Sequence, residues 1–353
     1  MPAEAIEDGA TVEARKLQRT GGSTFSLSLP KRWVTAQGLK AKDTVFVEIS
    51  SDGVLIVRAQ SGALPPPRAK VITTSGEPRD HLLRQLIGAY IAGFTRVEVR
   101  FKQSEGPSVR RVVRDFSRMV IGPEVLEETR TSIVLQDLSN PGELSAEKCV
   151  RRMYLSVRSM HEDAMEMLRR RDEDLAKDLA QRGADIDRLH WMVEKQSSLA
   201  QLAGPSGASE WRGTGIHNFR LVAKLLERIG DHTERIAGAA FGRHGDLGPQ
   251  LLRDLNGASA AALDILDRSF KALTTRDIEA ANDAVDRTAA LERQADALTH
   301  RVARHKGGDL LALGAIVDSI RRTGGYAADI AEIAINHASS LEPGRVGEDI
   351  NPE

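Results

Sequence analysis

Arg171-Asp172-Glu173-Asp174-Leu175-Ala176 is repeated 105 residues further along the chain as Arg276-Asp277-Ile278-Glu279-Ala280-Ala281. A second match, between Arg228-Ile229-Gly230 and Arg322-Thr323-Gly324, has a spacing of 94 residues. An insertion in the first copy explains the difference, because a loop rich in Gly and Ser occupies residues 204–215. The pattern predicts a duplicated unit, with one repeat at 145–240 and the other at 250–340.

Proline is scarce through both copies. Of the 13 prolines, only Pro205 and Pro249 fall between residues 142 and 342, and both lie between periodic stretches. Because proline breaks the interior of helices, this span is predicted to be helical. Each copy offers three long helices. We therefore predict an all-α domain at 145–340, built from two three-helix bundles.

The chain before residue 140 has a different character. Residues 13–60 show alternating strand patterns at Thr24–Leu29, Thr44–Ile49 and Val54–Val57, with a short helical piece after Pro30. They predict a small all-β domain whose core is too small to be stable alone, so we expect a homodimer.

A second small domain is predicted between the β domain and the helices. Pro65-Pro66-Pro67 reads as a stiff linker. After it, strands at Lys70–Thr74 and Arg96–Phe101 alternate with helical patterns, and Val125–Leu135 reads as a final strand or hairpin. These patterns predict a small α/β connector at 68–140, so the whole chain is expected to be multidomain.

Composition excludes several classes of protein. The 353 residues contain 49 Lys and Arg against 50 Asp and Glu, which argues against a uniformly basic nucleic-acid coat. The single cysteine, Cys149, excludes an internal disulfide and fits a reducing cytoplasm. The acidic N-terminus is not a signal peptide, and no apolar run has the ~18 residues of a membrane span. We expect a cytoplasmic protein without membrane insertion.

Enzyme signatures are missing from the sequence. It has no GxGxxG, GK[ST] or GxSxG motif, and the nine histidines are scattered. We therefore expect neither catalysis nor an organic cofactor.

A local basic run is more informative than the neutral total. Between Ala14 and Lys42 there are seven cations and no acid, which is typical of a phosphate-backbone contact. The alternative is an edge strand whose charges prevent aggregation. The residues predicted to contact duplex DNA are Arg15, Lys16, Arg19, Lys31 and Arg32.

The same segment carries a family resemblance. The stretch Arg19–Trp33 with its Leu29-Pro30-Lys31 element, followed by Gly38-Leu39-Lys40-Ala41-Lys42-Asp43 and a hairpin, resembles the AbrB/SpoVT-type swapped-hairpin DNA-binding domain. The turn departs slightly, with Ala41-Lys42-Asp43 where that family usually has Pro-Gly-Asp. The resemblance implies that two chains exchange hairpins and that the basic residues lie on DNA.

Three carboxylates follow one face of the third helix of the first repeat. Glu227 and Asp231 are four residues apart, and Glu234 is next in line. Like charges so placed repel each other unless a cation lies between them, and hard oxygen ligands suit Mg, Mn, Fe or Zn. The alternative is ordinary ion pairing, for example between Asp231 and Arg235.

The stretch Glu227-Arg228-Ile229-Gly230-Asp231-His232 resembles the ExxxD motif of the PhoU family of phosphate-uptake regulators. That resemblance implies a divalent metal at Glu227 and Asp231, with Asp187 from the preceding helix and His232 as a weaker candidate. In the second repeat the motif positions are Arg321 and Gly325, so metal is expected in repeat one only. The domain combination resembles archaeal PhoU-like proteins with an AbrB-type N-terminus.

These observations predict a non-enzymatic regulator of phosphate uptake or metabolism, acting at transcription, with DNA and a second copy as partners. The alternative is a metal-binding adaptor for a phosphate transporter or sensor component, in which the hairpin only dimerises the chain. Phosphate itself is not expected on the acidic helix face, because the carboxylates would repel an anion.

Overall fold

The computed structural model describes residues 13–20, 24–49, 55–59, 68–139, 144–170, 172–203, 215–243, 245 and 247–340. The chain divides into two compact units, 1–64 and 65–353. The predicted Pro65–Pro67 linker and almost all of the predicted loop at 204–215 lie outside the described residues.

The first unit contains two separate hairpins and a short helix. Strands β1 (Gln18–Thr20) and β2 (Thr24–Ser26) pair antiparallel, with Arg19 opposite Phe25. Helix α1 (Lys31–Ala36) follows, and then β3 (Phe46–Ile49) and β4 (Leu55–Arg58) form the second antiparallel pair. This small β region is the one that the alternating sequence pattern predicts.

The apolar side chains of the first unit are largely uncovered. Phe25 is 64% exposed, Val47 57% and Ile49 76%. Among the described side chains of this unit, only Ile56 is buried. A core this sparse contributes little hydrophobic stabilisation to a single chain.

The second unit begins with the small α/β domain, called the connector below. Its order is β5 (Ala69–Thr73), α2 (Arg79–Ile91), β6 (Arg96–Arg100), a 3₁₀ turn (Gln103–Glu105), α3 (Gly106–Met119), β7 (Pro123–Glu128) and β8 (Ser132–Asp137). The sheet order is β5-β6-β8-β7, parallel between β5 and β6 and antiparallel elsewhere. The last segment is thus a hairpin. Ile72, Val99 and Leu135 from the sheet share one core with Leu86 of α2 and Phe116 of α3.

Six long helices complete the unit, as the repeat predicts. The first repeat comprises α4 (Ala146–Glu166), α5 (Glu173–Ala203) and α6 (Gly215–Gly242). The second comprises α7 (Pro249–Thr275), α8 (Ile278–Val302) and α9 (Gly307–Ser339). One hydrophobic core runs through both repeats. None of the described helices has the length and apolar character that crossing a membrane requires.

Specific contacts fix the two repeats to each other. The Tyr154 hydroxyl of α4 donates to Asp267 of α7 over 2.8 Å, and the Tyr154 ring stacks on Phe270 at 4.0 Å. Two turns along α4, the fully buried ring of His161 hydrogen-bonds Ser259 through Nε2 over 3.0 Å. Burial lowers the pKa of His161 to about 4, so the imidazole is neutral in the folded protein.

The connector packs on α5 of the first repeat. Trp191 of α5 packs against the connector core, and the Tyr90 hydroxyl of the connector lies 3.9 Å from the Met192 sulfur of α5. The Lys195 ammonium contacts the Asp137 carboxylate and donates to Ser139 Oγ over 2.8 Å. Because the Lys195 and Asp137 side chains are only 3% and 5% exposed, this ion pair is buried at the junction of the two domains.

We expect Lys195→Met to lower the free energy of urea unfolding by about 3–5 kcal/mol, because it leaves the Asp137 charge buried without its partner. Unfolding can be followed by tryptophan fluorescence, since Trp191 lies at this junction. The double variant Lys195→Met/Asp137→Asn should recover most of the loss. A single variant as stable as the wild type would show that the pair does not hold the connector.

Acid should weaken the contact between the repeats. Histidine in the unfolded chain has its ordinary pKa of ~6.5, whereas the pKa of His161 in the folded protein is about 4. Between these values the unfolded state binds more protons, so the stability present at neutral pH is lost as pH falls, by up to about 3 kcal/mol. Between about pH 7 and about pH 4.5, the unfolding free energy of the wild type should fall more steeply than that of His161→Gln. Equal slopes would assign the acid sensitivity to other groups.

Candidate functional site

The five cations predicted to contact DNA all lie on the surface of the first unit. Arg15 and Lys16 precede β1, Arg19 is its central residue, and Lys31 and Arg32 open helix α1. All five side chains are exposed. Exposed cations at the start of a strand and of the following helix can contact phosphates without desolvation of the protein interior.

An acid just outside the predicted basic run changes its charge. Glu13 forms ion pairs with Arg15 and, over 3.0 Å, with Arg32. Two of the five predicted contacts are therefore partly neutralised in the isolated chain. Exposed ion pairs are worth about 0–1 kcal/mol, so phosphates can displace Glu13 at little cost.

The carboxylates predicted as metal ligands meet between α5 and α6. Asp187 comes from α5, and Glu227 and Asp231 come from α6. Glu234, one turn beyond Asp231, joins them and lies over the backbone of Gly183 on α5. A Cβ at position 183 would displace the end of the flexible Glu234 side chain from its present place.

Reduced hydration and neighbouring negative charge raise the pKa of Asp187, Asp231 and Glu234. The pKa of Asp187 is raised by reduced hydration and then by the charges of Glu227 and Asp231. Reduced hydration and then the charge of Glu227 raise the pKa of Asp231. The pKa of Glu234 is raised by reduced hydration and then by the charges of Asp187 and Asp231. The cluster is therefore a region of excess negative charge that a cation would relieve.

Cations of α6 already offset part of this charge, since Lys224, Arg235 and Arg228 each act to lower the pKa of Asp231. The Lys224 ammonium is 2.7 Å from Oε2 of Glu227, whose side chain is 16% exposed. Among the described residues, no three His, Cys, Asp or Glu side chains are arranged to hold a metal ion. The donor chemistry suits a hard divalent ion, but Lys224 would have to leave Glu227 and the carboxylates would have to converge on the ion.

His232, the fourth predicted ligand, points elsewhere. It lies about 140° around α6 from Glu227, by helix geometry. Its Nδ1 is 3.2 Å from Ser319 Oγ on α9, and its ring centroid is 5.8 Å from that of Tyr326. The structure thus places His232 against the second repeat and puts Glu234 in the cluster. The spacing predicts the position of Glu234 on this face, because it follows Asp231 by three residues and Glu227 by seven.

The second repeat contains a guanidinium at the equivalent place. Arg321 Nε lies 3.4 Å from Glu292 Oε2, and its Nη2 lies 2.6 Å from Asp296 Oδ1. In repeat two, the Arg321 guanidinium supplies the positive charge that a metal ion would supply in repeat one. A divalent cation would be repelled there.

Comparison with known families identifies two segments of the chain. The family model described as the PhoU domain matches residues 150–240. The model described as "Antidote-toxin recognition MazE, bacterial antitoxin" matches residues 18–64. The chain has no significant match among curated proteins.

Solved structures of PhoU proteins resemble part of the chain. The phosphate transport system regulatory protein PhoU from Streptococcus pneumoniae is 16% identical with a TM-score of 0.47, over 54% of this chain and 91% of that one. PhoU from Pseudomonas aeruginosa is 18% identical with a TM-score of 0.48, over 55% of this chain and 95% of that one. By these two family matches, the first helical repeat of this chain is similar to the PhoU domain, and its N-terminal segment is similar to MazE antitoxins.

Proposed function

We propose that this protein is a non-enzymatic regulator of phosphate uptake or metabolism that binds duplex DNA as a homodimer. The observation that carries the proposal is the presence in one chain of a PhoU domain and a MazE-type domain. The first gives the link to phosphate, and the second gives a module of the kind that dimerises and contacts DNA.

Exposure in the first unit supports dimerisation. Its two hairpins leave Phe25, Val47 and Ile49 more than half exposed. Exchange of hairpins with a second chain would bury these side chains in a shared core, at about 25 cal/mol per Å² of apolar surface removed from water. The exposed cations would then lie on both halves of a two-fold assembly, as a palindromic DNA site requires.

The helical domain would supply the signal through a divalent cation. Fe, Zn, Mn or Mg would be held by Asp187, Glu227 and Asp231 with help from Glu234, in repeat one only. The excess negative charge of this cluster supports the proposal, and Arg321 in repeat two explains the asymmetry. A phosphate transporter or sensor component would be the partner that distinguishes the metal-bound helical domain from the metal-free one.

The alternative function is a metal-binding adaptor whose N-terminal hairpins serve only for dimerisation. The ion pairs of Glu13 with Arg15 and Arg32 favour it, because they reduce the charge available for phosphates. Dependence of DNA binding on salt separates the two functions, since an adaptor needs no phosphate contacts.

We expect the full chain to bind duplex DNA with an affinity that falls steeply as salt rises. Each phosphate contact contributes about −0.9 to the slope of log K against log salt, so Arg15→Ala/Lys16→Ala/Arg19→Ala should flatten it by about 3. Glu13→Gln should strengthen binding, because it releases Arg15 and Arg32. Fluorescence anisotropy over a salt series measures both effects.

The matched control removes three exposed cations of the second unit, in Arg111→Ala/Arg118→Ala/Lys271→Ala. It changes the net charge equally and should leave the slope unchanged. A dimer, established by sedimentation, that does not bind DNA at low salt would refute the DNA-binding function and leave the adaptor.

We expect divalent metal to co-purify with the protein and to be lost in Glu227→Gln/Asp231→Asn. Lys224→Met should bind metal more tightly, because it removes the ammonium that competes for Glu227. Metal content measured after dialysis, and the rise in melting temperature with metal concentration, report occupancy independently.

Two further variants test the details. His232→Ala should keep its metal, since His232 contacts α9 rather than the carboxylates. Arg321→Glu/Gly325→Asp recreates the motif in repeat two and should gain a second equivalent. Unchanged metal content in Glu227→Gln/Asp231→Asn would show that these carboxylates are only a charged helix face.

A further inference from the structure

The connector contains a cavity that the proposed function does not use. It has a volume of about 170 Å³ and lies where the parallel strands β5 and β6 end and helices α2 and α3 begin. The carboxyl ends of parallel strands are where α/β sheets bind ligands, because the loops there form a crevice. Pockets for drug-sized molecules measure about 300–1,000 Å³, so this cavity suits a much smaller one.

A largely buried threonine lines the cavity. Thr74 follows β5, is 6% exposed, and uses its backbone N–H to bond the carbonyl of Arg100 over 2.9 Å. Its hydroxyl has no hydrogen-bond partner in the part of the chain that the structure describes. The hydroxyl keeps access to the cavity, so a ligand placed there could form a hydrogen bond with it.

Donors for an anionic group surround Thr74. Arg79 is the first residue of α2, a helix that no side chain caps, and its Nε donates to Ser108 Oγ over 3.2 Å. That bond places the guanidinium of the exposed Arg79 beside the cavity and leaves the Ser108 hydroxyl able to donate. A carboxylate placed here would meet a guanidinium, two hydroxyls and the positive end of a helix.

The other side of the cavity is acidic. Glu77 and the half-buried Glu105 both line it. Glu105 Oε2 accepts from the Lys102 N–H over 3.2 Å, whereas Oε1 faces Gly76, whose Cβ would lie 3.5 Å away. Gly76 has a φ of +89°, which only glycine adopts readily, so the loop that brings these groups together depends on it.

The charges decide the class of ligand. Two carboxylates and one guanidinium line the cavity, so a simple anion would meet net negative charge. A ligand with both an ammonium and a carboxylate satisfies both sides. The remaining wall is apolar, formed by Leu82, Val109 and Val112, which suits a short aliphatic side chain.

We infer that the connector binds a small free amino acid of the size of alanine or valine. Its carboxylate lies at Arg79, Thr74 and Ser108, and its ammonium lies at Glu105. The inference is independent of the proposed function, because neither DNA nor a divalent metal takes part in it.

The test is titration of the full chain with L-alanine and L-valine by calorimetry, beside acetate, ethylamine and inorganic phosphate. We expect saturable binding of an amino acid and no comparable binding of the other three. Acetate or phosphate binding as tightly as the amino acids would overturn the inference, and so would the absence of any binding.

Matched variants locate the site. Thr74→Val keeps the shape of the side chain and should weaken amino-acid binding about tenfold, the value of one hydrogen bond. Thr73→Val, at an exposed neighbouring position, should leave it unchanged. Glu105→Gln preserves the acceptor for Lys102 and should shift preference from the amino acid towards acetate. Equal effects of Thr74→Val and Thr73→Val would place the binding elsewhere.

Discussion

The second unit depends on one hydrophobic core that passes without interruption through both helical repeats. Because the third helices, α6 and α9, contribute fully buried side chains such as Ile229 and Ile330, neither repeat covers its apolar surface alone. This burial fixes which helix faces remain available for chemistry. On α6, the face turned towards α5 carries the carboxylates, and the face turned towards α9 carries His232. The same packing gives the connector a rigid surface on α5.

Helix α5 brings two features of the molecule onto one element. Asp187 belongs to the carboxylate cluster, and Lys195, eight residues later, holds the connector through Asp137. At 1.5 Å per residue the two positions are about 12 Å apart along the helix. The excess charge at one position and the buried ion pair at the other thus act on the same rigid segment. Repeat two differs at the place equivalent to the carboxylate cluster, where the Arg321 guanidinium lies against Glu292.

Sequence reasoning predicts elements well where a single pattern determines them. The recurrence of Arg171–Ala176 and the scarcity of proline predict six helices, and the structure confirms them. It fails where the answer depends on tertiary contacts. Glu13 lies one residue before the acid-free run, yet chain reversal brings it to Arg32. The motif places His232 beside Asp231, but the helix turns it towards Ser319. The cavity at Thr74 forms from two loops some thirty residues apart, and no local pattern records that convergence.

In the proposed homodimer, the uncovered apolar side chains of the first unit would be buried only by a second chain, so folding of this unit would depend on mass action. When a domain gains its core only from a second chain, the fraction folded depends on the protomer concentration as well as on the sequence. Dilution of such a dimer would unfold the N-terminal module while the helical unit, with its own core, stays intact. The cellular amount of the protein would then set a threshold: scarce chains would retain the helical domain but lack an ordered N-terminus, and abundant chains would have both. A regulator built this way would respond to its own rate of synthesis before any effector binds.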